Sequence, residues 1–223
     1  MNNYNKNIVY FIIALLLLLF ILNFNNNENL TNFEGTSWRL SNNWNTIVPL
    51  DLKNKPIKYL EIGAFHGANV ISVAQSYASH PNSKLYCIDP WMNYDEYPEY
   101  KKEGEQENNY NIFLKNIKNN NLENKVVTLK GFSSDEIPKL EDDSFDIIFI
   151  DGNHEPEYVL EDAVLSFPKL KVGGYMVFDD YVWSDVKEAG TDKGIDSFFN
   201  GYYKRIKEIN RNHNGQSFLQ KLK

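Results

Sequence analysis

Tyr59-Leu60-Glu61-Ile62-Gly63-Ala64-Phe65-His66-Gly67 is the stretch on which the fold turns. An apolar run that begins at Ile57 stops at Ile62, two glycines follow four positions apart, and Val70, Val73, Ala74 and Tyr77 then recur at helical spacing. Strand, glycine turn and helix in that order open a parallel β-α-β unit. The same grammar continues downstream. Apolar runs at 85–88, 126–129, 145–150 and 175–178 end at Asp89, Gly131, Asp151 and Asp179-Asp180, with helical patterns between them at 105–118, 157–167 and 195–203. Continuous apolar strands separated by helices predict an α/β fold, a doubly wound and mostly parallel sheet covered on both faces. The tail alternates over 205–209 and 217–222 around Asn214-Gly215, which predicts a closing antiparallel hairpin and seven strands in all.

Bulk properties narrow the function. Of 223 residues, 42% are apolar and 24% charged, which suits one globular domain after an apolar N-terminus. A net charge of -7 with no basic stripe argues against a nucleic-acid partner, since such binding draws on Lys and Arg neutralising phosphates. A small polar or neutral acceptor fits better. Cys87 is alone, which excludes a disulfide framework and a cysteine-built zinc site. Oligomeric state is not legible.

Residues 8–22 are apolar throughout, with Lys6 before them and an asparagine-rich stretch reaching Glu28 after. The expectation is a single-pass membrane anchor over 1–25, a linker or lid over 26–55, and the catalytic domain over 56–223. Fifteen helical residues reach only about 22 Å against a hydrocarbon core of about 30 Å, so an anchor here demands a thinned bilayer. A cleaved signal peptide is the rival, disfavoured by Asn23-Phe24-Asn25 where small residues are wanted. The charge bias sends the domain to the lumen or exterior. On that side Asn29-Leu30-Thr31 would be a glycosylation acceptor.

In an open parallel sheet ligands bind beyond the carboxyl ends of the strands, where strand order reverses. The Glu-x-Gly-x-x-x-Gly ending of strand one permits a tight turn and leaves backbone donors facing a ligand. It is not Gly-x-Gly-x-x-Gly, so a nicotinamide oxidoreductase loses its fingerprint. Asp89, about 20 residues beyond the loop, is placed to accept both hydroxyls of a ribose; the plain alternative is a turn cap before Pro90. Asp151, Asp179 and Asp180 close neighbouring strands and are expected to converge. Three like charges there call for a hard divalent ion such as Mg²⁺, unless they are solvated turn acids. His154 is a candidate base or a partner to Asp151, and His66 a loop-packing residue. Trp91, Tyr94, Tyr97, Tyr100, Tyr181 and Trp183 either wall an acceptor site or pack two long loops.

With Tyr86-Cys87-Ile88-Asp89-Pro90-Trp91, Phe145-Asp146-Ile147-Ile148-Phe149-Ile150-Asp151-Gly152-Asn153-His154 and Gly173-Gly174-Tyr175-Met176-Val177-Phe178-Asp179-Asp180-Tyr181, four motifs stand in order. Over 57–183 the chain resembles class I S-adenosylmethionine-dependent methyltransferases, especially the small-molecule branch with macrocin O-methyltransferase and cephalosporin-hydroxylase-like proteins. That resemblance implies cofactor contacts at Glu61, Gly63, Ala64, Phe65 and Gly67 for the amino-acid end, Asp89 and Pro90 for the ribose, Ser133 and Ser134 near the adenine, and Asp151. It also implies metal ligation by Asp151, Asp179 and Asp180; on the residues' own chemistry, Asp151 or His154 is the catalytic group expected to take the acceptor proton. The expected reaction is Mg²⁺-dependent O-methylation of a sugar, glycan or small aromatic acceptor. The alternatives are a metal-independent methyltransferase and a non-catalytic binding domain on a membrane.

Overall fold

The computed structural model describes residues 32–92, 103–182 and 190–223. One sheet runs through them in the order β3-β2-β1-β4-β5-β7-β6. Its strands are β1 (Lys58–Ile62), β2 (Lys84–Asp89), β3 (Val126–Lys130), β4 (Phe145–Ile150), β5 (Leu170–Phe178), β6 (Ile206–His213) and β7 (Gln216–Lys221). The first five pair in parallel and β7 runs antiparallel to both β5 and β6. The reversal of strand order therefore falls between β1 and β4, where the glycine turn lies. The helices are α1 (Ala68–Gln75), α2 (Glu105–Asn119), the single turn α3 (Ser133–Glu136), α4 (Pro156–Ser166) and α5 (Thr191–Tyr202).

Central β4 is apolar on both faces because both are covered. Leu60, Ile62, Ile148, Ile150 and Phe178 pack with Val159 of α4, Phe167 of the 3-10 turn that follows it and Phe198 of α5. The opposite face is aromatic. The Trp44 ring lies 5.4 Å from Phe149, 5.8 Å from Tyr77 and 6.3 Å from Tyr59. The hairpin turns through Asn214 and Gly215, both at positive φ (54° and 85°), as a two-residue primed turn requires. β5 begins five residues earlier than its apolar run, and its pairing with β4 shifts register around Gly173-Gly174. The extra residues form an irregularity of the bulge kind.

Two features of the N-terminal region differ in character from the sequence reading. The segment before β1 forms short 3-10 turns over Leu40–Thr46 and Leu50–Asn54 and buries Trp44 completely, with its Nε1 donating to Gln216 Oε1 at 3.0 Å. The membrane assignment is corrected. No helix among the described residues is long and apolar enough to cross a membrane, and 1–25, where the anchor was expected, lie outside them. The physical weakness was already the length, a run too short for an unthinned bilayer.

Replacing Trp44 by Ala removes the aromatic cover of one sheet face and leaves the Gln216 carbonyl unpaired. The expected loss is about 3–5 kcal/mol of unfolding free energy, read from a urea titration.

Candidate active site

The carboxyl ends of β1, β2, β4 and β5 carry the groups singled out in the sequence. Gly63 continues β1 into the turn with φ of 86°, and its N–H donates to Ile88 O at 2.9 Å. A Cβ there would fall 1.8 Å from Asp151 O. Only glycine fits, so the turn and the end of β4 are in backbone contact. Asp89 holds the next part of the loop. Its Oδ2 accepts the Phe65 N–H at 2.9 Å and its Oδ1 the Trp91 N–H at 2.8 Å. Burial pushes its carboxyl up to about 6, and these backbone donors oppose the rise. An ionised carboxylate has room for about four hydrogen bonds, so acceptor capacity remains for a ligand.

Beneath the turn sits a buried polar triad. Glu61 Oε2 accepts the Tyr59 hydroxyl at 2.6 Å and the Asn69 Nδ2–H at 3.3 Å, while the same Asn69 nitrogen donates to Tyr59 Oη at 3.1 Å. Burial raises Glu61 to about 8 despite these bonds, so it is mostly protonated at neutral pH. Tyr59 and Asn69 did not emerge from the sequence as site residues. The signal was available: Tyr59 and Glu61 are two apart on one strand and share a face, and Asn69 is in the first turn of α1.

The acids at the far side of the rim separate into two environments. Asp151, His154 and Asp180 each offer a ligand atom, and these atoms lie within 4.8 Å of one another. His154 Nε2 is 3.0 Å from Asp180 Oδ2 and 3.9 Å from Asp151 Oδ1. Burial raises Asp151 to about 6, the His154 contact opposes it and the Asp180 charge adds to it. Asp179 is not one of these three ligands, although it lies close enough for Asp151 and Asp180 to act on its carboxyl. It is only 7% exposed, packs beside Gln216 on the buried side, and has its carboxyl raised well above the ordinary range by burial, then by Asp151 and Asp180. Both residues follow the end of β5 at Phe178, and Asp180 sits in the left-handed region at φ 53°. Of the expected acidic trio, Asp151 and Asp180 come together, with His154 beside them, and Asp179 falls outside the group.

The remaining expected residues are accounted for as follows. Ser133 opens α3 and bonds to Asp162, a buried acid of α4 that burial raises to about 7. Ser134 beside it is exposed. Ala64 and Phe65 form the turn and Pro90 follows Asp89. Gly67 caps α1. Trp91 is buried and packs on Tyr110 and Phe113, with Nε1 donating to Phe65 O at 3.0 Å, so it braces the loop rather than lining open space. Tyr181 is partly buried and its hydroxyl bonds to Asp196 at 3.2 Å. Tyr94, Tyr97, Tyr100 and Trp183 lie outside the described residues.

Glu61 makes stability depend on pH in a definite direction. Below about 4.5 both folded and unfolded chains hold its proton; between 4.5 and about 8 only the folded chain does, so stability falls as pH rises and the contribution is gone above 8. Calorimetric midpoints of Glu61→Gln, whose amide cannot ionise, should fall less steeply than the wild type across this window.

The comparisons agree with this fold. The profile described as "Methyltransferase domain" matches residues 60–181, more than half of the chain. Protein R132 of Acanthamoeba polyphaga mimivirus is 30% identical over 158 residues, which are 68% of this chain and 65% of that protein. The chain therefore aligns with just under two thirds of its viral relative. Among solved structures, the O-methyltransferase TomG of Streptomyces achromogenes, of tomaymycin synthesis and bound to SAM, has a TM-score of 0.57 at 19% identity, covering 78% of this chain and 77% of its own. The O-methyltransferase NovP gives 0.56 at 18% identity, covering 76% and 74%. With the matched region spanning the glycine turn, Asp89, Asp151 and the end of β5, the chain belongs to the methyltransferase-domain family and carries its class I sheet.

Proposed function

We propose that the chain transfers the methyl group of S-adenosylmethionine to a hydroxyl oxygen of a sugar, glycan or small aromatic acceptor, with Mg²⁺ at the rim. The observation that carries this reading is the meeting of Gly63, Asp89 and Asp151 at one edge of the sheet, at the point where strand order reverses. The O-methyltransferases TomG and NovP share that fold. S-adenosylmethionine supplies a methyl carbon on a sulfonium, a leaving group that needs no acid. The chain then has two tasks, to align acceptor oxygen with that carbon and to remove one proton.

Residues 63–67 and the start of α1 hold the amino-acid end, Asp89 and Pro90 the ribose, and Ser133 and Ser134 the adenine side. Asp151 is a stronger base than an ordinary carboxylate because burial raises it. His154, oriented by Asp180, is the second candidate for the acceptor proton. Asp151 and Asp180 suit a hard cation through oxygen, with water completing the shell; an ion there would offset their repulsion and acidify an acceptor hydroxyl.

A labelled methyl-transfer screen of catechol-like and glycan acceptors, with and without Mg²⁺, tests the reading. Asp151→Ala should lower turnover about 100-fold or more, and EDTA should suppress turnover until Mg²⁺ is restored. Full activity in the variant removes the proposed reaction centre, while activity indifferent to EDTA leaves a metal-free methyltransferase.

A further inference from the structure

The glycine turn is held from outside the sheet by a segment that precedes it. Residues 33–41 bond to Asn116 of α2, to His66 of the turn and to Asn69 of α1. Asn116 of α2, fully buried, accepts the Glu34 N–H at Oδ1 (2.9 Å) and donates through Nδ2 to Glu34 O and His66 O, both at 2.9 Å. One amide thus ties the segment's backbone to the turn's. The His66 ring makes the second tie. Thr36 N–H donates to Nδ1 at 3.1 Å, so Nδ1 carries a lone pair, the proton sits on Nε2, and that nitrogen donates to Asn109 Oδ1 at 3.1 Å. Gly35 passes so close that a Cβ would lie 2.5 Å from Nδ1. A third tie runs from Ser41 N–H to Asn69 Oδ1 at 2.8 Å, and so to the amide that bonds Glu61.

We infer that residues 33–41 are a strap that positions the cofactor turn, with His66 and Asn116 as the positioning residues through which it acts. The inference rests on the reading that this turn binds S-adenosylmethionine. Three residues of the turn have positive φ: Gly63, Phe65 at 42° and Gly67 at 83°. Such a backbone is not held by regular ladder bonds and needs partners elsewhere. Asn116 of α2, itself bonded to the strap at Glu34, supplies the partner of the His66 carbonyl, as Trp91 supplies that of Phe65. With the peptide planes fixed before the ligand arrives, binding does not have to order them. Displacing the strap at Gly35 therefore weakens cofactor binding from outside the turn, without replacing a residue of 63–67.

The test uses the full chain and calorimetry with S-adenosylhomocysteine, alongside circular dichroism and hydrogen exchange at residues 34–36. Gly35→Ala pushes the strap off the His66 ring from outside the turn, and His66→Leu removes both ring hydrogen bonds. Each should weaken binding tenfold or more and raise exchange at Thr36. His66→Asn, which keeps an acceptor near the Nδ1 position, should recover much of the affinity. Wild-type affinity in Gly35→Ala with exchange raised overturns the strap, as does a His66→Asn variant no better than His66→Leu. No binding by the wild-type chain would instead sink the cofactor reading on which the inference stands; if His66→Leu does not fold, Gly35→Ala alone decides.

Discussion

Between Gly63 and the carbonyl of Asp151 there is no space for a single carbon atom, and much of the site follows from that closeness. β1 and β4 are hydrogen-bonded neighbours, so their ends are already side by side, and a residue lacking Cβ lets the first strand bend directly over the end of the fourth. The bend directs the chain from 63 to 67 across the sheet edge toward β2. There Asp89 takes the Phe65 N–H, and the turn becomes a bridge pinned at both ends. A bulkier residue at 63 would have to move a backbone, which a close-packed sheet does not permit cheaply.

The rim gathers acidic groups in a poorly solvated place, and the molecule handles each differently. Glu61 is kept mostly neutral and bonded to Tyr59 and Asn69. Asp89 is compensated by backbone N–H groups. Asp151 and Asp180 share His154 as neighbour, and Asp179 is withdrawn beside Gln216. Each solution is local, and among the described rim acids the Asp151 and Asp180 oxygens and the remaining capacity of Asp89 are left for a ligand to use.

The sheet was readable because its signal is redundant: a buried parallel strand must be apolar along its length, and five such runs separated by helical spacing admit few arrangements. The turn and the acids at strand ends were readable for the same reason, since topology brings those ends together. What failed to show was direction. Asp179 and Asp180 are adjacent in sequence but lie just past the end of β5, where the left-handed φ of Asp180 breaks the strand's regular course and no sequence period reports which acid joins Asp151. The role of residues 33–41 was hidden more deeply. Thr36, Ser41 and Asn116 have no periodicity that marks them, and their partners lie 28 to 82 positions away in the chain. The apolar run 8–22 lies outside the described residues, and no described helix is long and apolar enough to cross a membrane.

The bond from the Trp44 indole to Gln216 joins positions 172 apart. During vectorial synthesis at roughly 5–20 residues per second, the indole waits on the order of ten seconds or more for its partner to be made. Until the last hairpin emerges, one face of the sheet lacks both β7 and the carbonyl that satisfies the tryptophan. The domain is therefore finished from its two extremities, and a ribosome stalled before residue 216 would leave a sticky half-built sheet for chaperones to shelter.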